Sequence, residues 1–230
     1  QAHRVCQPLG MREQLTFYPE PVGGITPSPA KAWRDGFVFA KDKGGDEFSQ
    51  LYWFDYPTRS TTLLSDGKRS QNGGTTLSRD GGLMAYSSTA RNGTDRDVWL
   101  RNTRTGETKL LVAAGGNWTP MDFSSDGSRL LVMKYVSAAE SYPGEVDVAT
   151  GKLSLFPVDG GKASFGRFAF APDGKAVYFV SDEPLQGKPQ EFKTLRYHNP
   201  DSGTFEVLTA SIPWDVGGFT IADDGRHLAF

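Results

Sequence analysis

The sequence predicts an all-β chain, a β-propeller of four-stranded antiparallel blades, on three observations. An apolar residue, two small or polar residues, Asp-Gly and a short apolar burst recur at Asp35-Gly36, Asp80-Gly81, Asp126-Gly127, Asp173-Gly174 and Asp224-Gly225. The intervals of 45, 46, 47 and 51 residues match the length of one propeller blade. The bursts have the length of strands, and 27 Gly, 14 Pro and 12% aromatic residues suit many short strands joined by tight turns.

In the first repeat, Phe37-Val38-Phe39, Leu51 to Asp55 and Thr61 to Leu64 read as strands. Arg12 to Phe17 reads as the outer strand of a preceding blade. The second repeat is the clearest. Thr75 to Ser78 is an inner strand, and Arg79-Asp80-Gly81-Gly82 is a turn whose glycines supply positive φ. Leu83 to Ser87 is a nearly continuous apolar strand, suited to burial on both faces. The polar loop Thr89 to Arg96 leads into Asp97 to Asn102, and the turn Arg104-Thr105-Gly106-Glu107 into an outer strand, Thr108 to Ala113. The third repeat supplies Leu130-Leu131-Val132, Glu145-Val146-Asp147 and Leu153 to Phe156. The fourth supplies Val177 to Val180, Leu195-Arg196-Tyr197 and Phe205 to Leu208. The fifth stops at Leu228-Ala229-Phe230. Residues 13–230 are assigned to the propeller and 1–12 to a lead segment.

By this count four blades are complete, while the first and last are partial. Such a ring lacks a strand in its closing blade, so the sequence is expected to be part of a longer propeller. Its open edges would let it associate with other chains. The start at Gln1 rather than Met is read as removal of an upstream segment.

Up-and-down blades sort the connections onto two faces. The Asp-Gly and Thr-Gly turns share one face. The long loops 41–50, 89–96, 136–144 and 181–190 share the other with the connectors carrying Trp118 and Trp214. Function is expected on the long-loop face.

A formal charge of −2 argues against a nucleic-acid partner held by phosphate contacts. No apolar run approaches the ~18 residues of a membrane span. The lone Cys6 excludes an internal disulfide framework and reads as a small structural residue. The Asp-Gly pairs are turns, since no Asp-x-Asp-x-Asp-Gly spacing accompanies them. Gly160-Gly161-Lys162 is not a phosphate loop, because Phe156 and Ala163 replace its Gly and Ser/Thr. His3, His198 and His227 have no metal-ligand spacing, and no cofactor is expected. No Gly-x-Ser-x-Gly elbow occurs, so no catalytic residue is assigned. Trp118 and Trp214, eight and ten residues before their Asp, are expected to pack between blades. Asn92-Gly93-Thr94 and Asn117-Trp118-Thr119 match the glycosylation pattern at a frequency chance supplies. Glu140, a long-loop-face carboxylate in a largely apolar stretch, is the single candidate substrate contact.

Phe123 to Leu131, Phe170 to Lys175 and Asp147 to Lys152 resemble the WD-like repeats of the Tol-Pal periplasmic propeller protein and of prolyl oligopeptidase-family serine peptidases. Arg12 to Val22, Asn92 to Asp97 and Ile212 to Val216 are similar to bacterial dipeptidyl- and acylaminoacyl-peptidase-like members. The repeats are unspecific, whereas these three stretches are moderately specific. The resemblance implies a propeller that screens peptide substrates for an α/β-hydrolase domain lying outside this sequence. The adjacent Glu-Glu pair of some dipeptidyl members is missing, which leaves exo- and endopeptidase activity open. The alternative is a standalone protein-binding propeller of the cell envelope. The compartment stays open between periplasmic or secreted and cytoplasmic.

Overall fold

A computed structural model describes residues 36–158, 161–222 and 227–230. Arg12 to Phe17, the lead segment, Cys6 and Asp35 lie outside the described residues, as do Asp224 and Gly225. The described chain is all-β, with no helix. Its first sheet orders β1 (Gly36–Lys41), β2 (Gln50–Asp55) and β3 (Thr61–Leu63). Three four-stranded antiparallel sheets follow, each in chain order. They are β4 (Asn72–Leu77) to β7 (Thr108–Val112) through β5 (Leu83–Ser88) and β6 (Asp97–Asn102); β8 (Asn117–Phe123) to β11 (Leu153–Leu155) through β9 (Arg129–Ser137) and β10 (Glu140–Asp147); and β12 (Phe165–Phe170) to β15 (Thr204–Val207) through β13 (Val177–Ser181) and β14 (Thr194–Asn199). The last pair is β16 (Thr220–Ile221) with β17 (Leu228–Ala229).

The innermost strands β4, β8 and β12 lie side by side, so the sheets radiate like blades from a channel. Strand periodicity explains the packing, because alternate side chains enter different inter-blade cores. On β5, Met84 joins Val38 and Leu51 of the preceding sheet, while Ala85 faces Trp118 and Val132 of the next. On β9, Leu130 and Val132 face backwards, while Leu131 and Met133 meet Phe168 and Phe179. Val180 and Leu195 continue the series against Val216 and Phe219. Central strands are therefore apolar on both faces.

The repeated turn is one hydrogen-bonded device. Ser78 Oγ donates to Asp80 at 2.7 Å and accepts from Leu83 N–H at 2.9 Å. Ser124 repeats this with Asp126 at 2.6 Å and Arg129 at 3.0 Å. Gly81 and Gly127, at φ 67° and 72°, occupy the left-handed region where a side chain is strained. The expected turn chemistry is thus observed, except that Gly81 alone, not Gly82, supplies the positive φ of the second turn.

The third repeat departs from expectation. Residues 136–144 are no loop: β9 and β10 extend into a long hairpin turning at Ala138-Ala139, with Tyr142 opposite Lys134. Small residues at the tip conceal the continuation of the strand, whose end is exposed on both faces at Tyr135 and Val136.

Candidate functional site

Glu140 begins β10, opposite Ser137. Its carboxylate accepts from the Tyr142 hydroxyl at 2.5 Å and from Lys162 Nζ at 3.0 Å. These two partners hold its pKa below the usual carboxylate range, and the same contacts raise Tyr142 and Lys162. The candidate therefore sits in a polar triad on a hairpin, not in an apolar loop. Such a triad can present one ordered charge pattern to a partner.

The loop 89–96 is clamped to both neighbouring connectors. Arg91 Nε donates to the fully buried Asp97 at 2.6 Å, and its Nη2 to Asp95 at 2.9 Å. Asp95 also accepts from Gly116 N–H at 2.9 Å, the main cause of its lowered pKa. Arg96 bridges to Asn117 through its backbone, while its guanidinium donates to Gln71 at 2.8 Å. The two tryptophans part company. Trp118 is buried between the second and third sheets, its Nε1–H bonded to Gly115 O at 2.9 Å. Trp214 is 65% exposed, against the packing expected for it. Its connector is fixed through Asp215, which accepts from Lys193 N–H at 2.8 Å, so the ring stands out from an anchored segment.

A second constellation lies at the opposite, turn-side end of the channel. A cavity of about 280 Å³ is lined by the residues preceding the repeated Asp, namely Arg79, Ser125 and Pro172, together with Asp122, Arg167 and Phe170. Asp122 follows a bulge in β8, where the register shifts between Pro120 and Asp122. Arg167 falls in the corresponding irregularity of β12. Bulges re-aim side chains toward such sites. Asp122 Oδ2 accepts from Phe170 N–H of the next blade at 2.9 Å. Burial pushes its pKa up to about 6, with that hydrogen bond, Arg167, Phe123 N–H and Arg79 opposing the rise. Chemically, the mouth can bind charge or exchange a proton near neutrality.

Sequence reasoning missed this group, because Met121-Asp122-Phe123 looks like an ordinary strand end. The usable signal was the slip in burial spacing, from Trp118 and Pro120 to Phe123. A larger crevice of about 940 Å³ between the third and fourth sheets is mostly apolar, walled by Phe156, Phe168, Phe179 and Phe205. Among the described residues, no group of three or more His, Cys, Asp or Glu side chains could hold a metal ion. Among them no helix is long and apolar enough to cross a membrane.

No protein-family model matches the sequence, and no curated protein matches it. Solved structures match its fold. TolB from Acinetobacter baumannii superposes with a TM-score of 0.68 at 18% identity, over 95% of this chain and 50% of that one. A structure from a study of two prolyl endopeptidases gives 0.58 at 15% identity, over 91% and 34%. Porphyromonas gingivalis dipeptidyl peptidase 4 gives 0.55 at 13% identity, over 83% and 33%. The chain therefore spans half the length of the TolB structure and about a third of the two peptidases. The fold is the β-propeller found in both groups.

Proposed function

We propose that this chain is the non-catalytic propeller portion of a serine oligopeptidase, whose long-loop face shapes the access of peptides to an α/β-hydrolase domain of the parent protein. The observation that carries this reading is the inequality of the two faces. One consists of short repeated turns, whereas the other holds the clamped loop 89–96, the Glu140 hairpin and the exposed Trp214. An anchored surface with ordered charges and an outstanding aromatic suits contact with a second polypeptide. Glu140, oriented by Tyr142 and Lys162, is the proposed polar contact. The propeller likeness to the two peptidases supports the pairing with a hydrolase domain. A second reading, a standalone protein-binding propeller, is favoured by the superposition on TolB across 95% of the chain. Neither reading calls for a cofactor.

The test is to treat the full-length parent protein with a fluorophosphonate probe and map the label by mass spectrometry. The expected result is one labelled serine outside residues 1–230, with peptide hydrolysis lost in proportion. A parent protein that takes no label defeats the peptidase reading and leaves the binding one.

A further inference from the structure

We propose that the turn-side mouth of the central channel binds a carboxylate group, gripped by the guanidinium groups of Arg79 and Arg167. This inference is independent of both readings above, since it concerns the opposite end of the channel from the long-loop face.

The first argument is availability. Arginines elsewhere are engaged: Arg91 with Asp95 and Asp97, Arg101 with Gly106 O, Arg129 with Glu145, and Arg196 with Glu183. Among the described residues neither Arg79 nor Arg167 has a hydrogen-bond or ion-pair partner; Arg167 lies over the Phe219 ring, 5.6 Å from its centroid, and both arginines act on Asp122 through space alone. Both line one cavity. The second argument is sign. Asp122 is the single acidic residue among the described residues of the lining, and its Oδ2 is already occupied by Phe170 N–H. Among the described residues, two cations against one partly neutralised carboxyl give the lining a positive balance, and concave walls focus that field.

Shape then selects the ligand. A guanidinium presents a planar fork of donors that matches a carboxylate. The walls between the charges are apolar, formed by Phe123, Phe170, Pro172 and Ala222, and about 280 Å³ admits a group the size of one residue. A monoanion with an apolar neck fits better than a phosphate dianion, which Asp122 would oppose more strongly. The C-terminus of a polypeptide and a small free carboxylic acid share this chemistry.

The experiment follows the arginine Nε–H resonances of the ¹⁵N-labelled protein during titration with N-acetyl-Gly-Ala-Ala, its C-terminal amide, and acetate. The free acid should shift the signals of Arg79 and Arg167, and the amide should bind at least about tenfold more weakly. A peptide acid that binds more tightly than acetate identifies a polypeptide terminus as the source; equal affinity identifies a small free acid. Arg79→Ala and Arg167→Ala should each weaken the acid about tenfold without altering the unfolding temperature, because both side chains are exposed. Asp122→Asn retains an acceptor for Phe170 N–H and should tighten binding. Equal affinity for acid and amide, or unchanged binding in the Arg79→Ala, Arg167→Ala double variant, overturns the proposal. So does weaker binding in a folded Asp122→Asn protein.

Discussion

Asp122 and Asp126 stand four residues apart and are perturbed in opposite directions. Asp126 lies in the turn, exposed, accepting from the Ser124 hydroxyl and from the N–H and hydroxyl of Ser128. Those donors favour the charged form and lower its pKa to about 2. Asp122 lies behind a bulge at the channel, where burial raises its pKa to about 6 despite two N–H donors and two arginines. The turn carboxylate is satisfied by its own neighbours and repeats as Asp80, so it belongs to the architecture. The channel carboxylate is charged at some energetic cost and lies in a cavity, which is where a site is expected. The difference teaches that the repeated, conspicuous Asp builds the blade, while the unrepeated one stands at the cavity where the inner strands converge.

The comparison breaks most readily at the wall behind Asp122. Leu131 is fully buried and pairs across the ladder with Asp122. Leu131→Ala should lower stability by about 3 kcal/mol in denaturant unfolding. A loss below about 1 kcal/mol would mean that the wall is loose, and the burial invoked for Asp122 would fall with it.

The next effect in size is that of Asp122→Asn. A carboxyl whose folded pKa is raised favours the folded state fully below its unfolded pKa, and that contribution is lost as pH rises through the folded value. The substitution should therefore be near neutral at pH 3.5 and stabilise by up to about 2 kcal/mol at pH 8, with the change centred between the usual carboxylate pKa and about 6. Equal effects at both pH values would remove the distinction between the two residues.

The smallest effect is expected for Asp126→Ala, a drop of a few degrees in unfolding temperature. Here the sign reverses: the folded pKa is depressed, so the contribution is present above the unfolded pKa and lost as pH falls through about 2. The drop should be constant from pH 5 to 8 and shrink below pH 4. Calorimetry at pH 3 and pH 7 checks it.

These pairs also mark what could be read from residues alone. The Asp-Gly phase located the blades because a tight turn has strict local chemistry, and Asp97–Asn102 emerged with the expected bounds. The sides of each strand were legible too, since period-two alternation decides which inter-blade core Leu130 and Leu131 enter. What failed was set by tertiary context. Trp118 and Trp214 have a similar repeat phase, yet one is buried between sheets and the other stands on a connector anchored through Asp215. Glu140 was singled out as a carboxylate in an apolar stretch, whereas its setting is polar, because its partner Lys162 lies 22 residues away, beyond the reach of a local motif. Arg79, Asp122 and Arg167 come from three different repeats, and only the convergence of inner strands on one channel brings them together.

The most direct measurement is a ¹³C NMR titration of the carboxyl carbons of Asp122 and Asp126 in one sample of the folded protein. The expected midpoints are about 6 for Asp122 and about 2 for Asp126. Two carboxyls titrating together near pH 4 would contradict the assignment of the one to the channel chemistry and the other to the turn.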